Sequence, residues 1–329
     1  MATSALFLPI WLAADLLGAS RRAAVVLAVF GFVSHVVFGK AYTLLPSYLD
    51  VELAWPRAPV LHLPLAAGGT LSMAVWALGS GGSTGAAGAV ADATAAVAAP
   101  AGTMGAAAWA LGALVFAAAM LWSARGNPLG ARTGTSDANA ERRPLDRVAN
   151  GFMPVAVLYF AIAGYAVAAP RLGLPSPFGG YFPRVSHLVA AGGAATMLFA
   201  VGYRLLPRFT VTHPSRRPAL IVLPTGAVAP LLLALDLNGG AVFLAGAVLE
   251  AVAVLGFAQS VLWMYRTTDR SRVGFHGVAL GAVFAVAALG VALHMAFASG
   301  PRPALAAAHM RLNLLGFLGL TIVGVAFQF

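Results

Sequence analysis

Long apolar runs recur along the chain, broken by short stretches that are basic or rich in glycine and proline. None of the runs alternates with the period of two that a membrane strand needs, and each is long enough to cross a hydrocarbon core of about 30 Å as a helix. The pattern predicts nine spans, near 23–45, 58–79, 105–123, 151–169, 185–206, 218–236, 239–265, 274–297 and 305–328. Ahead of them, residues 5–19 are apolar but short and contain Pro9 and Asp15, which predicts an interfacial or part-buried helix. Residues 1–22 therefore read as an N-terminal interfacial segment and 23–329 as one transmembrane domain. Between spans, the Gly/Ala/Ser/Thr stretch 80–104 predicts a flexible loop, and 124–150 a polar one.

Composition agrees with an all-α, polytopic transmembrane helical bundle: 60% of residues are hydrophobic, 9% are charged, and the mean hydropathy is +0.86. A net charge of +10 suggests nucleic acid in a soluble protein, but here the arginines sit between apolar runs. They read as topology signals, with the lipid bilayer and not nucleic acid as partner. Thirteen arginines, from Arg57 to Arg272, fall in one set of connections, and five (Arg21, Arg22, Arg171, Arg184, Arg302) in the other. The positive-inside rule then makes 124–150 cytoplasmic and 80–104 external in a multi-pass protein of a prokaryotic plasma membrane. Cysteine is absent, so disulfides, thiolate metal sites and thioether-linked haem are excluded.

The spans repeat. Phe38-Gly-Lys-Ala-Tyr42-Thr-Leu-Leu-Pro46 matches Phe199-Ala-Val-Gly-Tyr203-Arg-Leu-Leu-Pro207 at an offset of 161, and Gly31-Phe32 to Gly39 matches Gly316-Phe317 to Gly324 at 285. Leu121-Trp122 and Leu262-Trp263 close similar helices two spans after the first two copies. The expected architecture is a four-helix unit over 23–169, a second over 185–297, and the first helix of a third over 305–329.

Ionisable groups inside such spans are costly and point to function. By depth, His187, His294 and His309 share one outer level, His35, His62 and His276 lie towards the cytoplasm, and His213 falls in an inner loop. A histidine near a helix end is also commonly an interfacial anchor. Glu250 lies mid-span, as a protonated buried acid, a partner of a cation such as Arg311, or part of a proton path.

Two stretches carry a family resemblance: His309-x-Arg311-Leu-Asn313-Leu-Leu-Gly316-Phe-x-x-Leu-Thr-Ile-x-Gly324, and Arg184-Val-Ser-His187-Leu-Val-Ala-Ala-Gly192-Gly193 with Tyr203-Arg204-Leu-Leu-Pro207-Arg208. Covering about a sixth of the chain, they resemble the histidine-bearing helices of the haem-copper oxidase subunit I superfamily, especially its small, divergent members. The resemblance implies a pseudo-threefold bundle with haem b at the outer level. His187 and His309 would be its axial ligands and His294 the reserve, with Arg311 on a propionate and Asn313 or Ser186 orienting a ligand ring. Gly192, Gly193 and Gly316 would open a slot for the macrocycle. His35 and His62 are weaker metal candidates.

Where the family often reads His-x-His this chain has His309-x-Arg311, and no His-His pair occurs, so a copper site would have an incomplete ligand set. The implied function is electron transfer or binding of a diatomic gas, oxygen or nitric oxide, without a complete dinuclear centre. An enzyme of this kind would be an oxidoreductase related to terminal oxidases or nitric oxide reductases, and its partners respiratory membrane subunits or a second copy. Two other readings stay open: a cofactor-free permease or channel lined by Glu250, Arg311 and the histidines, and a structural or assembly subunit of a respiratory complex.

Overall fold

The computed structural model describes residues 2–135, 137, 140–180, 182–270, 272–299 and 302–327. It is all-helical among them, and the chain is a membrane-spanning helical bundle. A short helix, α1 (Ala2–Leu16), precedes nine helices long and apolar enough to span. These are α2 (Arg21–Leu49), α3 (Ala58–Gly79), α4 (Gly85–Ala124), α5 (Arg143–Arg171), α6 (Phe182–Thr210), α7 (Arg217–Leu235), α8 (Ala241–Thr267), α9 (Val273–Ala298) and α10 (Pro303–Ala326). Each predicted span falls on one of them, because apolar run length alone fixes where a helix must hide its backbone from lipid.

One segment differs from expectation. Residues 85–104 are not a loop but the first half of α4, a helix of 40 residues and about 60 Å. Alanine dominates there, and alanine is the strongest helix former. The helix is also held along its length. Thr84 N donates to Gly18 O (2.7 Å) and Ala87 N to Leu17 O (3.1 Å). Further along, Gly69 of α3 and Gly105 of α4 bring the two backbones together, a β-carbon on Gly105 falling 2.7 Å from Met73 N. Small residues permit this approach, and packing of this kind drives helix association in lipid.

The short helix α1 lies alongside α2. Its Phe7 ring packs over Gly31 and stands 5.0 Å from the ring of His35, halfway along α2. Phe7 and Trp11 are buried while Leu6, Ile10, Leu16 and Leu17 are exposed.

Two compact units divide the chain: Met1–Gly126 with Ala156–Ala194, and Asn127–Val155 with Ala195–Phe329. The boundary runs through α5 and α6 rather than between sequence repeats. Within each unit the repeated residues nevertheless build the same contacts. Phe38 meets Phe116 at 4.6 Å in the first unit, and Phe199 meets Phe257 at 4.7 Å in the second. Tyr42 stands edge-on to Phe116 (5.5 Å, 78°) as Tyr203 does to Phe257 (5.7 Å, 81°).

The three repeat-related helices also share a wide turn. Residues Val26–Val33 of α2, Leu188–Ala195 of α6 and Leu312–Gly319 of α10 are π-helical. Such segments open the helix surface and concentrate at functional sites. Each holds a glycine in equivalent register, Gly31, Gly192 and Gly316, and each glycine seats an aromatic ring from a neighbouring helix: Phe7 of α1, Tyr159 of α5 and Phe284 of α9.

Candidate functional site

The first unit carries a sealed aromatic core with histidines inside it. Phe38 of α2 is its centre. His62 of α3 stands edge-on at 4.5 Å, and His35 lies on Phe38 at 5.9 Å. Tyr42 and Phe116 contact the His62 ring at 5.7 and 5.5 Å. His35 and His62 are only 3% and 2% exposed, so their polar atoms must find partners within the protein.

They do so incompletely. His35 Nδ1 lies 2.7 Å from the Gly31 carbonyl. A carbonyl only accepts, so Nδ1 carries the proton and Nε2 presents a lone pair. That Nε2 has no hydrogen-bond partner, nor do His62 Nε2, Tyr42 Oη and Trp109 Nε1. Leaving such a group unpaired costs about 1–3 kcal/mol.

The second unit resolves the same places differently. Tyr203 Oη pairs with Ser260 Oγ at 2.9 Å, whereas the residue matching Ser260 in the first unit is Ala119. Thr196, in register with His35, donates to Gly226 O at 3.1 Å. At the places of Tyr42 and His35 the second unit is thus satisfied where the first is not.

The outer-level residues fall in both units. His187 belongs to the first and is half-buried, with Nδ1 donating to Pro183 O at 2.7 Å. Ser186 Oγ bonds that same carbonyl at 2.8 Å rather than the His187 ring. In the second unit His309 is half-buried and its Nδ1 donates to Ala288 O of α9 at 3.0 Å. Asn313 leans on that ring, its Nδ2 3.3 Å from Nε2, so the backbone and not Asn313 takes the ring proton. His294 and Arg311 are exposed. Four histidines on the π-bearing helices, His35, His187, His276 and His309, thus share one device, a backbone carbonyl on Nδ1–H, which is the anchoring usual for metal-bound imidazole.

No family model, curated protein or solved structure matches the chain. The resemblance rests on its two stretches of sequence.

The glycines expected to open a haem slot do not stand open. A β-carbon on Gly193 would lie 2.8 Å from the Phe160 ring, and one on Gly316 2.6 Å from Phe284 Cβ, while Gly192 seats Tyr159. The protein's own rings fill these gaps. His187 and His309 are half-buried with Nδ1 anchored on a backbone carbonyl, whereas packed rings enclose His35 and His62. Among the described residues no three metal-ligating side chains converge, and a copper site gains no support.

Glu250 of α8 has a buried Oε2 with no partner, so it is not paired with Arg311. Sequence reasoning missed a heavily bonded charge cluster at one end of the second unit. Asp146, 5% exposed, takes two bonds from Arg208 (2.9 and 2.6 Å) and has Arg204 at 3.8 Å. Arg204 also donates to Asn150 Oδ1 at 2.9 Å. Both arginines stand in the Tyr203–Arg208 motif, which was the available signal. His213 pairs with Glu141 at 3.0 Å beside the same cluster, around a cavity of about 70 Å³.

Proposed function

We propose that this membrane-spanning protein binds haem b, with His187 and His309 each a candidate iron ligand, in a fold of the oxidase subunit I kind. The observation that carries the reading is the shared anchoring of Nδ1 on π-bearing helices, which sets the ligand tautomer before any metal arrives. The group would supply one-electron exchange or diatomic-gas binding at its iron. The chain's part is to hold two half-buried imidazoles and to keep charge near them, with Arg311 exposed two residues beyond His309. An absorption spectrum of protein expressed with ample haem, with and without dithionite, tests the reading. A Soret band that shifts on reduction supports it, and its absence from folded protein ends it.

A second reading has its own observation. The buried, unpartnered Oε2 of Glu250 on α8 favours proton transfer through a cofactor-free permease. Proton flux into liposomes containing haem-free protein separates the two, and neither flux nor haem leaves the structural-subunit reading.

A further inference from the structure

Three side chains at one end of the first unit form a cationic bowl that neither reading uses. Arg22, in the first turn of α2, and Arg171, at the end of α5, both stack on the indole of Trp76 in the last turn of α3. Their guanidinium carbons lie 4.9 and 3.7 Å from the ring centroid. Gly102 of α4 makes the stack possible, since a β-carbon there would fall 2.6 Å from both Arg171 Nη1 and Trp76 Cγ. Arg22 Nη1 donates to Ser80 Oγ at 3.1 Å, and Phe182 meets Trp76 edge-on at 6.2 Å.

Neither arginine makes an ion pair with a carboxylate among the described residues. An indole face attracts one guanidinium through its quadrupole, but it carries no net charge and cannot neutralise two. Like charges held on one ring repel unless an anion stands between or beside them. This end of the unit belongs to the arginine-poor connections, and a bundle crossing a bilayer presents its helix ends to the headgroup layer. Paired guanidinium forks suit a phosphate oxyanion. Trp76 and Phe182 line the bowl with apolar surface for glycerol and acyl carbons.

We infer that Arg22, Arg171 and Trp76 form a binding site for the phosphate of an anionic membrane phospholipid. The test uses the full chain in neutral detergent, titrated with phosphatidylglycerol, phosphatidylcholine or inorganic phosphate. The readout is the tryptophan fluorescence lost in Trp76→Phe. Phosphatidylglycerol should change that signal saturably, and Arg22→Gln/Arg171→Gln should weaken the response by about tenfold or more, as loss of charge-assisted bonds requires. Arg22→Gln alone, at an exposed side chain, serves if the double variant does not fold, and it should weaken the response in the same direction. Arg216→Gln should leave it unchanged. An equal response to inorganic phosphate overturns the lipid assignment, an equal response to phosphatidylcholine overturns anion recognition, and an unaltered response in the arginine variants overturns the site.

Discussion

Gly192 seats the ring of Tyr159 so closely that a β-carbon at 192 would fall inside it. Gly31 with Phe7 and Gly316 with Phe284 repeat the arrangement, so a wide π turn, a missing side chain and an inserted ring make one packing unit used three times. The rings replace the open slot that the glycines alone suggested.

Gly192→Ala should therefore destabilise the folded protein by about 1–3 kcal/mol, the usual cost of overpacking. Gly68→Ala, where a β-carbon meets nothing within 4 Å, should be neutral or slightly stabilising. Thermal unfolding midpoints in detergent compare them. Equal midpoints would show that Tyr159 can move aside.

Asp146→Ala leaves Arg204 and Arg208 without their shared carboxylate in a buried setting. Removing one partner of such a cluster costs about 3–5 kcal/mol, enough to abolish accumulation of folded protein. Size-exclusion profiles of the variant and the parent check this outcome.

His62→Phe should hold or raise stability, because the ring stays among Phe38, Tyr42 and Phe116 while an unpaired Nε2 is removed. The variant should keep any Soret band, whereas His187→Ala and His309→Ala should lose it or turn high-spin. Loss of haem from His62→Phe instead would move the ligand site to the first core.

Glu250→Gln should leave folding unchanged, since the amide occupies the same volume and removes a buried acid that has no partner. Proton uptake by reconstituted protein should then fall to background if α8 carries the path. Unchanged uptake would reduce Glu250 to a tolerated buried acid.

The orientation can be read from single cysteines, because the chain has none of its own. With Asn238→Cys and Ser215→Cys, both at exposed positions, an impermeant thiol reagent on intact cells should label only the first. Labelling of Ser215→Cys alone would invert the topology.

The sequence by itself determined the class and the number of spans. Lipid admits only segments whose backbone is satisfied internally, and that demand is written in run length and arginine placement. It also held the repeat, since Phe38/Phe199 and Gly31/Gly192/Gly316 recur at fixed offsets. What only tertiary structure decided is who fills the space between helices. Alanine-rich 85–104 reads as a linker until α1 and α3 are seen to hold it as helix, and a glycine reads as a gap until Tyr159 or Phe284 is found in it. The imidazoles follow the same rule. His35, His62, His187 and His309 are alike as letters, but the carbonyl beside Nδ1 of His35, His187 and His309 and the rings around His35 and His62 come from folded backbone and neighbouring helices, which no local pattern encodes.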